Sequence, residues 1–272
     1  MNATSAIPEP LLAFGDAASE VRDAIARVDA AKARYQAALD RGGVLPNSIE
    51  AMRVELTYHS NAIEGSTLTL RETQLILEGH TPSSTKPLRE IYEARNHDRA
   101  LRMIEDWAAT RSPSDPFSEH DLLAVHAAVL ADIDATAAGR FRSERVLIKG
   151  TRFVPPGSHK FAELIPSMLA LAARPGIHPA LQAAEFHYNL VAIHPLADGN
   201  GRTARLLMNY HLLRNGFPLA IIEIERRSEY LAALEHANAA KTDPFAIFIL
   251  ETAARSINRL LGPDGGEQDR RE

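Results

Sequence analysis

The chain has 272 residues, 45% hydrophobic and 24% charged, with a net charge of −5, and contains no cysteine. That composition fits an ordinary globular protein and excludes disulfides and thiolate metal sites; the absence of a basic block argues against nucleic acid as partner. No apolar run approaches a membrane span and the first ten residues carry no basic charge, so neither an anchor nor a signal peptide is predicted. The expected compartment is the cytoplasm, with delivery into another cell left open.

In chain order, Met1 to Pro10 reads as a flexible lead. Leu11 to Leu39 reads as a solvated amphipathic helix with Val21, Ile25 and Val28 at helical spacing, closed by Gly42-Gly43 and Pro46. Residues 1–47 are therefore expected to form a helical lead to a core over 48–262. Ile49 to Glu64 is the next helix, with Ile49, Met52, Leu56 and Ile63 on one side. Gly65 suits a left-handed C-terminal cap there, and Ser60 and Glu64, four apart, share a face. A glutamate in the last turn opposes the helix dipole.

Thr69 to Gly79 reads as a short helix, Thr81 to Pro87 as a polar loop, and Glu90 to Ala109 as a longer helix. After the breaks at Pro113 and Pro116, Ser118-Glu119-His120-Asp121 resembles a capping box that opens a helix through Leu130. His120 and His126 read as surface or packing residues. Gly139 to Pro156 holds the one β signal: Val146-Leu147-Ile148 and Arg152-Phe153-Val154 around Lys149-Gly150-Thr151, a two-stranded hairpin.

Ala180 to Ile193 is predicted as a buried helix that ends at His194-Pro195, because proline lacks an amide hydrogen and turns the residue before it away from helical dihedrals. Arg202 to Arg214 follows as a helix with Leu206, Leu207, Tyr210 and Leu213 on its apolar face. Ser228 to Ala240 and Pro244 to Leu261 close the fold, and residues 263–272 read as a disordered tail.

Between the two central helices lies His194-Pro195-Leu196-Ala197-Asp198-Gly199-Asn200-Gly201-Arg202-Thr203-Ala204-Arg205. A glycine-rich turn that feeds a helix N-terminus aims unpaired amides and the helix dipole at one point, which makes an anion site. Arg202 and Arg205 share a helix face and can both reach a polyphosphate. Asp198 is placed to give a hard divalent cation an oxygen ligand, and His194 can take a proton near neutral pH. His187 and His194, two turns apart, lack a third ligand at metal spacing and are not read as a metal pair. Base, metal ligand, anion cradle and phosphate clamps together fit phosphoryl or nucleotidyl transfer.

This segment resembles the signature of the Fic family, written HPFx(D/E)GNGRxxR, and departs from it only by Leu196 in place of phenylalanine. Ser60-Asn61-Ala62-Ile63-Glu64-Gly65 likewise resembles the family's inhibitory motif, (S/T)xxxE(G/N). The resemblance implies a mainly α-helical bundle of the Fic/Fido type, with an inhibitory helix at about 49–64 and one β-hairpin flap at about 139–156. It implies protein AMPylation, the transfer of AMP from ATP to a Ser, Thr or Tyr hydroxyl of a target protein. His194 would be the base and Asp198 would hold Mg2+. Gly199, Asn200, Gly201, Arg202 and Arg205 would bind the nucleotide, and Glu64, aided by Ser60, would pair with Arg205 and inhibit. The target would dock on the flap, and a homo-oligomer is compatible with the sequence. Removal of AMP by the same site, and a non-catalytic nucleotide-sensing or interaction module, are the alternative readings.

Overall fold

The computed structural model describes residues 7–80, 85–112 and 115–262. Ten α-helices make up the described fold: α1 (Ser19–Asp40), α2 (Pro46–Ile63), α3 (Leu70–Leu77), α4 (Leu88–Thr110), α5 (Glu119–Leu130), α6 (Phe161–Ala172), α7 (Pro179–Ile193), α8 (Asn200–Arg214), α9 (Arg227–Asn238) and α10 (Asp243–Leu261). Local chemistry marks several starts. Pro46 and Pro179 occupy first-turn positions where no amide is needed, and Thr69–Glu72 and Ser118–Asp121 form complete capping boxes.

The central element is α7, which is buried nearly all round, as a helix without a polar face must be. On one side it joins α1, α9 and α10 in a core with Val28, Tyr188, Phe245 and Ile249. On the other it joins α4, α5, α6 and α8 through Leu101, Leu122, Phe186, Leu190 and Tyr210. Helix α2 packs against α4 and α8, which carries its C-terminal end to the start of α8.

The helical expectation holds, but the hairpin does not. Among the described residues no strand ladder forms over 139–156; there is a turn at Lys149–Gly150 and one isolated bridge, Phe141 to Leu196. A two-stranded ribbon needs a face to bury, and here Leu147 is 82% and Val154 51% exposed. The segment is a loop whose ends are tied down.

The helix read from Leu11 starts later, and residues 1–6 of the expected lead lie outside the described residues. Leu11 and Phe14 are buried plugs in a non-helical stretch. The Leu12 amide donates to Asn189 Oδ1 at 2.9 Å and the Leu12 carbonyl accepts from Asn189 Nδ2 at 3.0 Å, while the Phe14 amide donates to Glu185 Oε2 at 2.6 Å. Helix α1 then starts at Ser19 and packs along α10, with Val21, Ala24, Val28 and Ala31 buried. The expected tail over 263–272, the Pro113 break and part of the 81–87 loop lie outside the described residues. No helix among the described residues is long and apolar enough to cross a membrane.

Candidate active site

The site is built where α7 stops and α8 starts. His194 caps α7 in the left-handed conformation, φ 49°, a position that a non-glycine residue adopts only where its surroundings impose it. Its amide still bonds Leu190 O at 2.9 Å, and Nδ1 lies 3.2 Å from Val191 O. A carbonyl can only accept, so Nδ1 carries the hydrogen and the Nε2 lone pair remains for a substrate proton. Burial pushes the imidazole pKa down, against the pull of the Val191 carbonyl toward the protonated form, and the nearby Arg142 charge lowers it further. A neutral base results at physiological pH.

Gly199, at φ 74°, makes the turn into α8, where a Cβ would press on Val129. The first intrahelical bond of α8 runs from Thr203 N to Gly199 O at 2.9 Å, so the amides of Asn200, Gly201 and Arg202 have no partner inside the helix. These three donors and the dipole behind them form the anion cradle. The Asn200 side chain is already used: Oδ1 accepts from Leu196 N at 3.0 Å and Nδ2 donates to Leu196 O at 2.8 Å. It fastens the loop, leaving its backbone amide to face an anion.

Arg205 is 2% exposed. Its Nε donates to Ser60 Oγ at 3.0 Å, and its Nη2 donates to Ser60 O at 2.8 Å and to Glu64 Oε1 at 2.7 Å. The end of α2 thus grips a residue 141 positions later in the chain. Glu64 is the C-cap of α2 and Gly65 follows at φ 105°, the left-handed cap read from the sequence. Partial burial raises the Glu64 pKa, but the Arg205 guanidinium outweighs it and holds the carboxyl below its usual range. Gly201 matters here for space, because a Cβ at that position would collide with Glu64 Oε1 and lie 3.0 Å from Arg205 Nη1.

Asp198 and Arg202 belong to a second set of contacts. Asp198 Oδ1 accepts from Gly199 N at 2.6 Å and Arg202 Nη2 at 3.3 Å, and Oδ2 accepts from Arg89 Nη2 at 2.5 Å. Arg202 Nη1 meets Glu93 Oε1 at 3.1 Å. Burial opposes ionisation of Asp198, but Arg202, the Gly199 amide and Arg89 together keep its pKa below normal. Among the described residues no three His, Asp or Glu side chains gather as a metal cluster. An ionised, half-exposed carboxylate beside an anion cradle still fits a hard divalent cation that takes its other ligands from phosphates and water.

Several residues that the fold brings to this site escaped the sequence reading. Arg89 and Glu93 look like an ordinary i,i+4 surface pair until α4 is placed against α8. With Glu64, Ser66, Asp198 and Arg202 they line a cleft of about 390 Å³. A larger cavity of about 650 Å³ lies between the C-terminal ends of α6 and α8, lined by none of the site residues named above. Arg142, in a segment flagged only by resemblance, donates from Nε to His194 O at 2.7 Å, from Nη1 to Glu144 O at 2.5 Å and from Nη2 to Pro156 O at 2.7 Å. It thereby pins both ends of the 144–156 loop to the residue bearing the base. His126, read as a packing residue, is fully buried and specific. Its Nδ1 accepts from Gly139 N, so the hydrogen sits on Nε2 and is donated to Asp198 O at 3.1 Å.

The chain is similar to known proteins in both sequence and fold. Residues 116–212 match the Fic/DOC family. Protein adenylyltransferase fic-1 of Caenorhabditis elegans is 38% identical over 208 residues, covering 75% of this chain and 40% of the worm protein. Protein adenylyltransferase Fic of Nematostella vectensis is 37% identical over 224 residues, covering 80% of this chain and 52% of its own length. The chain therefore spans about half or less of these curated relatives. A solved structure of Fic-1 from C. elegans superposes with a TM-score of 0.77 at 32% identity, covering 89% of this chain and 72% of the other. A Fic family protein from Desulfovibrio desulfuricans superposes with a TM-score of 0.79 at 26% identity, covering 93% and 77%.

Proposed function

The chain belongs to the Fic family, and from that premise we propose that it is a protein adenylyltransferase, held inactive by Glu64. The observation that carries the reading is the conjunction at the α7–α8 junction of a base with a free Nε2 and a helix start with three unpaired amides and two buried arginines. The relatives' names support AMP as the transferred group.

In the proposed reaction ATP lays its phosphates on the amides of residues 200–202, with Arg202 and Arg205 as clamps. His194 Nε2 takes the proton of a Ser, Thr or Tyr hydroxyl on the target. The freed oxygen forms a bond to the α-phosphorus while the α–β bridging bond breaks and pyrophosphate leaves. The imidazolium then returns its proton to solvent or to the leaving group. Positioning and charge stabilisation carry most of the rate in such transfers. Asp198 is the residue that would hold Mg2+, which when bound neutralises phosphate charge.

Glu64 takes the Arg205 hydrogen bond that a γ-phosphate would need, so the pair acts as a brake. The 144–156 loop, its ends fixed by Arg142 and its middle free of ladder partners, offers open backbone to which an extended target segment could add as a strand.

The test is labelling of lysate proteins by Glu64→Gly with ATP tagged on the adenosine, followed by mass spectrometry. AMP-modified hydroxyls are expected with Glu64→Gly and none with Glu64→Gly/His194→Ala. Freeing one phosphate clamp worth about 1.4 kcal/mol should raise automodification about tenfold over wild type. Absence of any AMP adduct, including on the enzyme itself, would leave nucleotide sensing as the function.

A further inference from the structure

Four side chains beside the cradle close into a ring. Arg89 Nη2 meets Asp198 Oδ2 at 2.5 Å, Asp198 Oδ1 meets Arg202 Nη2 at 3.3 Å, Arg202 Nη1 meets Glu93 Oε1 at 3.1 Å, and Glu93 Oε1 returns to Arg89 Nε at 3.0 Å. Two guanidinium groups and two carboxylates balance, so the ring is neutral.

Its members are not equally fixed. Arg202 is almost fully buried and is held by Glu93 from α4 and Asp198 from its own loop. Arg89 is 58% exposed, at the end of a long side chain in the first turn of α4, and can leave without repacking anything. Both Arg89 and Asp198 line the cleft, together with Glu64 and Glu93.

We propose that Arg89 is a placeholder cation, occupying on Asp198 the position that the divalent metal takes when it arrives with the nucleotide. This rests on the reading of Asp198 as the metal ligand. A metal ion on Asp198 Oδ2 would sit within a few ångströms of the Arg89 guanidinium bonded to the same oxygen, and the two positive charges repel at that distance. A bare divalent ion must therefore expel Arg89 and leave the ring with surplus positive charge. A metal ion that arrives on a polyphosphate brings the compensating negative charge with it. The ring makes metal entry depend on the nucleotide, and Arg89 is a positioning residue that keeps Asp198 aimed until then.

The test is calorimetric binding of ADP to the full chain, in excess chelator and in saturating Mn2+, with the ratio of the two dissociation constants as the readout. Mn2+ tightens ADP binding in wild type by some factor. In Arg89→Ala that factor should grow about fivefold, the effect of removing an exposed competing ion pair worth about 1 kcal/mol. Arg89→Lys, which keeps a charge there, should stay within about twofold of wild type by the same reasoning. Asp198→Ala should bring the ratio close to one with either residue at position 89. If Asp198→Ala collapses the ratio but Arg89→Ala leaves it unchanged or lowers it, Arg89 is no placeholder and the metal assignment still stands. If the ratio ignores Asp198 as well, the assignment of Asp198 itself fails.

Discussion

Gly201→Ala should reveal the Glu64–Arg205 contact without altering either partner. Gly201 lies in the first turn of α8 with ordinary helical dihedrals, so alanine there gains about 0.8–1 kcal/mol of helix propensity. The new methyl would collide with Glu64 Oε1 and sit 3.0 Å from Arg205 Nη1 and 3.3 Å from Glu64 Cδ. Glu64 is 43% exposed and can swing into solvent, so the clash is relieved by breaking its bond to Arg205. A charge-assisted bond contributes about 1.5–3 kcal/mol when dry, and solvent on the Glu64 side reduces that to about 1–2 kcal/mol. In wild type the loss offsets or exceeds the propensity gain, and Gly201→Ala should be neutral or destabilise by about 1 kcal/mol. With Glu64→Ala the clash is absent, and the same change should stabilise by nearly the full propensity term. Urea unfolding of the four proteins at pH 7 gives the coupling directly, and about 1–2 kcal/mol is expected. Equal effects of Gly201→Ala in both backgrounds would show that Glu64 does not occupy the space over the α8 N-terminus.

His194→Ala should abolish AMP transfer while ADP affinity, read by calorimetry, changes little, because the base acts on the attacking hydroxyl. Since burial lowers the His194 pKa, the acid limb of kcat/KM should lie below the usual imidazole range, and Arg142→Ala should move it upward; a limb that stays put would remove Arg142 from the electrostatics of the base. Asp198→Ala should lose magnesium-dependent transfer, with partial recovery at high magnesium, and undiminished activity of Asp198→Ala in limiting magnesium would overturn the ligand role. The buried His97 and His187, with pKa pushed down to about 3 by burial, and His126 and His211, pushed down to about 4, predict acid sensitivity. Below the unfolded value near 6.5 each of these imidazoles takes up its proton only in the unfolded chain, a loss of up to about 1.4 kcal/mol per pH unit apiece, and the buried Glu185, pushed up to about 7, offsets only one of the four. Urea midpoints should therefore drop sharply from pH 6.5 to 5, and an unchanged midpoint would mean that these imidazoles are already protonated in the fold.

What was legible in the sequence was whatever chemistry is consecutive. The α7–α8 junction, its glycines and its arginines lie within twelve positions, and the Ser60–Glu64 pair is set by helical spacing alone. The partners that α4 brings to that junction were not legible, because Glu93 becomes a ligand of Arg202 only once α4 packs on α8. Nor was the Asn200 carboxamide legible as a fastener of the loop through both Leu196 N and Leu196 O. The hairpin reading followed Val146-Leu147-Ile148 and Arg152-Phe153-Val154 around Lys149-Gly150-Thr151, yet such runs pair as strands only where one face is buried, and Leu147 is exposed. Leu11 and Phe14 were not legible as plugs, because the stretch that holds them is pinned by Asn189 and Glu185 from far along the chain.

The order of the two partners in the Glu64–Arg205 contact bears on how the protein is made. Synthesis runs from the N-terminus, and Glu64 leaves the ribosome 141 residues ahead of Arg205. Every residue of the anion cradle emerges after the carboxylate that pairs with Arg205. A growing chain therefore passes through no stage in which α8 has been translated and Glu64 has not. A rearranged gene that placed α2 after α10 would reverse that sequence of events, leaving a nascent cradle open to ATP in the interval.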